Sequence, residues 1–178
     1  QRQMCIRDRA PMIDFKNKLV PLIETSRAIE TVTQIAAFKD VVGLFFGAAD
    51  ASASLGCKLA WEPLLYARQR VVLAASMFNL FTIDAPYFYI DKMAGLKEEA
   101  EKVKNLGFTG KAAIHPDQID HINEAFSPSA EEKEEAKKVL EEYQKSGGGA
   151  IKVDGQMIDE PIAEAMRLKI TLGEEEKD

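Results

Sequence analysis

Cysteine is almost absent from this 178-residue chain: Cys5 and Cys57 stand alone, with no CxxC spacing. Two isolated cysteines read as free thiols in a reducing cytoplasm. No apolar run approaches the ~20 residues a membrane span needs, and the first residues carry no apolar stretch to serve as a secretory signal. Positive charge is scarce. The net charge is −6 and the one basic stretch is the first nine residues, so nucleic acid and anionic membrane are poor partners. GxGxxG and P-loop patterns are missing, as are internal repeats and low-complexity segments. The stretch Gln1–Arg9 has neither periodicity nor turn logic. It reads as adapter or non-coding sequence joined to a gene fragment, or else as a disordered basic tail.

From Lys18 onward, strand and helix patterns alternate. Lys18–Ile23 (KLVPLI) reads as a short buried strand ending at Glu24, with Thr25 or Ser26 capping a helix. In that helix Ile29, Val32, Ile35 and Ala36 share one face at spacings of three and four. Val41–Phe46 (VVGLFF) is a continuous apolar run, as in a parallel strand buried on both faces. A long helix over Ala60–Phe78 follows, with Leu64, Leu65, Val71, Val72 and Ala75 on its apolar side. Leu80–Ile83 is the third strand, closing on Asp84. Gly95–Leu106 is an amphipathic, solvated helix. Lys111–Ile114 is the fourth strand, closing on His115-Pro116, and Asp117–Phe126 a short helix.

Beyond Pro128 the pattern changes. Ser129 caps a charged helix over Ala130–Lys145, and Gly147-Gly148-Gly149 reads as a flexible joint. Asp154-Gly155 between two short runs signals a hairpin, followed by a helix over Pro161–Leu172. Glu174-Glu175-Glu176 reads as a frayed acidic tail. The organisation expected is a leader at 1–10, an α/β domain at 11–126 and a helical extension at 127–178.

Four strand–helix units in a row argue for a parallel sheet, either doubly wound or part of a (β/α)8 barrel. Glu24, Asp50, Asp84 and His115 are read as sitting at the C-terminal ends of the four strands, and in a barrel those ends converge on one catalytic face. Four units make half a barrel, so the chain is expected to pair with another copy or to be incomplete.

Five segments then carry a resemblance: Pro21–Thr25 (PLIET), Phe46–Asp50 (FGAAD), Trp61–Arg68 (WEPLLYAR), Gly110–Pro116 (GKAAIHP) and Asp154–Asp159 (DGQMID). In this order they resemble the HpcH/HpaI aldolase and citrate lyase β-subunit-like CoA-ester lyases, of the malyl-CoA and citramalyl-CoA lyase type. The resemblance runs from about Lys18 to Leu172. It implies an α/β fold, the C-terminal half of a (β/α)8 TIM barrel plus a hairpin-helix lid that caps a neighbouring subunit of a homo-oligomer, trimer or hexamer. It also implies about a hundred further residues upstream, including a substrate-binding arginine that nothing here matches.

On this resemblance Glu24 and Asp50 are the ligands of Mg²⁺, or Mn²⁺, which takes oxygen donors and keeps positions open for water or substrate. Without it, two carboxylates after strands read as structural or capping. Asp159 is the implied acid/base, reaching into a neighbour's site. Its position before Glu160-Pro161 also suits a helix N-cap. His115 and Pro116 shape the loop over the CoA thioester carrier, with His115 read as a buried hydrogen-bonding residue rather than a base. Many relatives are acidic where Ala49 stands, so the surroundings of Asp50 or the substrate preference differ. Arg68 and Arg70 read as structural ion-pair partners and Trp61 as packing; Asp84 has no assigned role. The expected activity is Mg²⁺-dependent cleavage of a 3-hydroxyacyl-CoA to acetyl-CoA and a 2-keto acid. The rivals are a malyl-CoA-type thioesterase, a citrate lyase β subunit acting on an acyl-carrier-protein thioester, and a non-catalytic fragment.

Overall fold

The computed structural model describes residues 18–147 and 149–172; the leader, Gly148 and the acidic tail lie outside the described residues. The chain divides into two compact units, meeting between Ile122 and Asn123.

The first unit is built on a four-stranded parallel sheet of β1 (Leu22–Ile23), β2 (Gly43–Phe46), β3 (Phe81–Asp84) and β4 (Gly110–Lys111), in sequential order. Its helices are α1 (Ser26–Glu30), α2 (Val32–Ala36), α3 (Ala48–Leu55), α4 (Trp61–Ser76), α5 (Met93–Asn105) and α6 (Ile119–Phe126), the last of which runs across the boundary into the second unit. Register sets the two faces, because side chains alternate along a strand and paired residues point the same way. Ile23 pairs with Phe46, Leu44 with Thr82 and Asp84 with Lys111, and all six are buried. Arg68 of α4 and Glu99 of α5 both reach this face. The other face carries Leu22, Phe45, Phe81 and Ile83. There Leu22 is 45% and Phe81 40% exposed. The helices thus cover one face, whereas a doubly wound sheet is covered on both.

Several boundaries differ from the sequence reading. Only Leu22–Ile23 forms the first strand proper, with Leu19 bridging to Val41. The fourth strand is Gly110–Lys111, not Lys111–Ile114, because the Ile114 N–H turns to the side-chain oxygen of Gln118, 2.9 Å away. The first helix is two short ones broken at Thr31, whose hydroxyl donates back to the Arg27 carbonyl at 2.9 Å. β-branched residues at 31–33 favour that break. The expected face of Ile29, Val32, Ile35 and Ala36 is buried, and Thr25 is the cap, accepting from the Ala28 N–H at 3.1 Å. Helix α3 was not expected. An alanine-rich run ending at Gly56, whose φ of +67° closes the helix, was its signal.

In the second unit α7 (Ala130–Lys145) starts on a capping box, in which Ser129 and Glu132 bond each other's backbone N–H. The hairpin β5 (Ile151–Val153) and β6 (Gln156–Ile158) turns at Asp154-Gly155, both at positive φ. Helix α8 is Glu160–Leu172. Val139, Leu140 and Tyr143 of α7 share one core with Val153, Ile158 and Ala163. The glycines at 147 and 149 therefore fold the hairpin back onto α7; they do not free it to swing away from that helix. No helix among the described residues is long and apolar enough to cross a membrane.

Candidate active site

Glu24 follows β1 directly, so alternation puts it on the same side as Leu22, away from the helix layer. Asp50 lies further along than expected. It is not at a strand end but in the first turn of α3, three residues past Gly47, the cap. The two loops are drawn together from both sides. The Gly47 N–H donates to the Ile23 carbonyl at 3.0 Å, and the Ser26 N–H to the Ser54 hydroxyl at 2.9 Å.

Burial, then a hydrogen bond toward the Asp50 carboxyl, then the negative charge of Asp50 raise the Glu24 pKa above its usual range. A neighbouring like charge disfavours the ionised form of Glu24, and a bound cation would reverse that. Gly47 makes the approach sterically feasible. A Cβ there would lie 2.7 Å from Cβ of Glu24 and 3.2 Å from its carboxylate Oε2.

The donor set is two carboxylates with no third Asp, Glu, His or Cys gathered beside them among the described residues. Two oxygen donors and open positions fit Mg²⁺ or Mn²⁺, which keep waters and substrate oxygens in their shells. A zinc site would need more nitrogen or sulfur. The first turn of α3 adds N–H groups at Ala48, Ala49 and Asp50 that have no intrahelical acceptor, a partial positive end beside the carboxylates.

Asp84 departs from the expectation of a residue on the catalytic face. It points into the helix layer, fully buried, 2.8 Å from the Nε of Arg68 and 2.8 Å from the Nζ of Lys111. Lys111 also donates to Glu99 and to the Ala85 carbonyl, each at 2.7 Å. Arg68 is thus the structural ion-pair residue the sequence suggested. His115 is half-exposed rather than buried. Its Nδ1 accepts from the Asp117 N–H at 3.3 Å, capping a 3₁₀ turn that Pro116 begins. Asp159 caps α8, its Oδ1 accepting from the Ile162 N–H at 3.4 Å. It belongs to the second unit, Glu24 and Asp50 to the first.

Sequence reasoning missed Gly47 as a spacer, though its place before a helix-starting alanine pair was visible. It also missed Lys111, Glu99 and Gln118, whose burial no local pattern announces.

A parallel α/β sheet with its helices on one face and a carboxylate pair beyond the strand ends on the other is the class of fold and site this chain presents. The chain belongs to the HpcH/HpaI aldolase/citrate lyase family, whose pattern matches residues 11–116. It is 36% identical over 170 residues to the human mitochondrial citramalyl-CoA lyase, covering 86% of this chain and 49% of that one. It is 33% identical over 157 residues to the citrate lyase β subunit of Haemophilus influenzae, covering 85% and 54%. Among solved structures, CitE of Mycobacterium tuberculosis in complex with magnesium, acetoacetate and coenzyme A superposes with a TM-score of 0.82 at 31% identity, covering 90% of this chain and 62% of that one. The chain spans about half the length of the curated relatives it matches.

Proposed function

We propose that this chain is the metal-bearing portion of a Mg²⁺-dependent carbon–carbon lyase for a 3-hydroxyacyl-CoA of the malyl-CoA or citramalyl-CoA type, acting in the cytoplasm. The observation that carries the reading is the Glu24–Asp50 pair, whose two loops are drawn together by the Gly47 and Ser26 hydrogen bonds and whose approach Gly47 leaves open. These two residues would hold Mg²⁺ or Mn²⁺. When bound, the cation supplies Lewis-acid polarisation of the carbonyl of the 2-keto acid.

The remaining chemistry is proton transfer, and Asp159 is the proposed carrier. In cleavage its carboxylate takes the proton of the 3-hydroxyl. The C–C bond breaks, its electron pair passes to the thioester α-carbon, and the same proton returns to that carbon to give acetyl-CoA and the 2-keto acid. His115 and Pro116 shape the loop beside the thioester carrier. Asp159 acts on the site of a neighbouring copy in a homo-oligomer, a trimer or hexamer. The strand edges at β1 and β4 and the exposed Leu22 and Phe81 support a further proposal: the 178-residue chain alone is inactive, being half of a (β/α)8 barrel with a lid.

The test is to extend the chain to the length of its relatives and assay malyl-CoA and citramalyl-CoA with Mg²⁺. Acetyl-CoA with glyoxylate or pyruvate is expected. Free CoA without a 2-keto acid would replace the lyase by a thioesterase. Mixing Asp159→Ala with Glu24→Ala chains should restore activity; failure to do so would remove the in-trans assignment.

A further inference from the structure

On the helix-covered side of the sheet, among Ala48 at the start of α3, the start of α4 and the loop after β3, lies a cleft whose lining includes neither Glu24 nor Asp50. Trp61, Tyr87, Phe88 and Tyr89 wall it, and Arg68 and Glu99 are the charged groups lining it. It encloses about 60 Å³ and holds about 430 Å³ counted out to its mouth. The enclosed part has room for about four or five waters, which is the edge of a ring rather than a whole molecule.

The walls are braced. The Tyr87 hydroxyl packs where a Cβ on Gly95 would stand. The Tyr87 carbonyl accepts from the Nε2 of Gln118 at 2.9 Å. The Tyr87 and Tyr89 rings meet edge to face at 5.5 Å, and the Lys92 ammonium sits 4.9 Å over the Tyr89 ring.

Arg68 is 3% exposed. Its Nε is bonded to Asp84, and its guanidinium carbon lies 4.8 Å from the Trp61 ring centre and 5.2 Å from that of Phe46. Stacking serves the faces of the guanidinium. The in-plane hydrogens of Nη1 have no acceptor among the described residues, which is costly for a buried donor. The charges around it cancel: Arg68 and Lys111 oppose Asp84 and Glu99. With those four charges matched, Nη1 is short of an acceptor rather than of a counter-charge, while Lys92 and Lys102 lie over the rings of Tyr89 and Trp61.

We propose that this cleft is a second ligand site, for a flat heteroaromatic ring of the nucleobase type, lying among Trp61, Tyr87 and Tyr89 with an in-plane acceptor on Nη1 of Arg68. The inference does not rest on the lyase reading, since Glu24, Asp50 and Asp159 take no part in it.

Trp61 is the only tryptophan in the chain, so its fluorescence reports on this cleft directly. The 178-residue chain, in chelator, is titrated with adenosine, coenzyme A and pantetheine. Adenosine should give a saturable change, and Glu24→Gln should leave it unaltered. Arg68→Lys keeps a cation against Asp84 but lacks Nη1, and Tyr89→Ala removes an exposed ring. Each should weaken binding about tenfold or more, with a thermal melt reporting that the fold is kept. If Arg68→Lys fails to fold, Tyr89→Ala alone decides. A coenzyme A response that adenosine displaces would identify the base of that carrier as the ligand; adenosine binding without coenzyme A binding would identify a free nucleoside. No saturable change with either up to about 10 mM, an equal response to pantetheine, or parent-like binding by the variants overturns the proposal.

Discussion

Two clusters of charge lie at the ends of neighbouring strands and have opposite characters. On the uncovered side, Glu24 and Asp50 are like charges, and burial together with Asp50 raises the Glu24 pKa. On the helix side, Asp84 stands between Arg68 and Lys111, and Glu99 completes the set. An acidic residue at a strand end is thus not functional by position alone. What matters is whether the fold supplies its counter-charge. Where it does, the group joins helices to strands; where it does not, the fold leaves a place for a ligand.

The largest effect should come from breaking the compensated cluster. Asp84→Ala leaves Lys111 and Arg68 short of an anion in the interior, which costs about 3–5 kcal/mol for a buried pair. Urea unfolding measures it, and a parent-like midpoint would mean the cluster is not structural. Gly47→Ala should cost less, about 1–3 kcal/mol of overpacking. It should also abolish the rise in melting temperature expected of the parent in Mg²⁺, because the new methyl displaces Glu24. That rise is about 2.7 kcal/mol in stability at a hundred times Kd. A Gly47→Ala chain that still gains it would show that the spacing is not set there.

Acidity distinguishes the clusters next. Glu24 has a raised pKa in the folded chain, so between its usual value and the raised one the folded state holds more protons than the unfolded state. Without metal, stability should therefore fall as pH rises through that window. Glu24→Gln should flatten that fall and weaken Mg²⁺ binding at least tenfold. A slope unchanged in Glu24→Gln would assign the titration elsewhere. Away from both clusters, Ser129→Ala removes one half of the capping box and should cost about 1 kcal/mol, read in the second unit by hydrogen exchange. The smallest effect on stability belongs to Asp159→Asn. An amide oxygen still caps α8, so the melt should barely move, while activity of the extended chain should vanish. Equal losses in both would reduce Asp159 to a cap.

The sequence made some of this legible and hid the rest for physical reasons. Helix α7 matches its expected bounds, because a capping box and charge periodicity are local signals. The hairpin turn was readable from Asp154-Gly155 for the same reason. The burial of Ile29, Val32, Ile35 and Ala36 followed from spacing. Strand ends were not so readable. Val41–Phe46 overran β2 at its start, since apolarity persists where pairing stops. At Asp84 and Lys111 the sequence shows two charges near apolar runs. Only pairing across adjacent strands reveals that they neutralise each other. The juxtaposition of Glu24 and Asp50 is likewise a tertiary fact, since 26 positions separate them along the chain.

Gln118 makes one further property measurable. It is fully buried; its oxygen accepts from the Ile114 N–H at 2.9 Å while its nitrogen donates to the Tyr87 carbonyl. Ile114 lies outside any strand or helix, and its side chain is half-exposed. Its amide should nevertheless resist deuterium, protected by a side chain in place of a ladder. In Gln118→Glu that protection should depend on pH, because the carboxylate can still accept from Ile114 but can no longer donate to Tyr87.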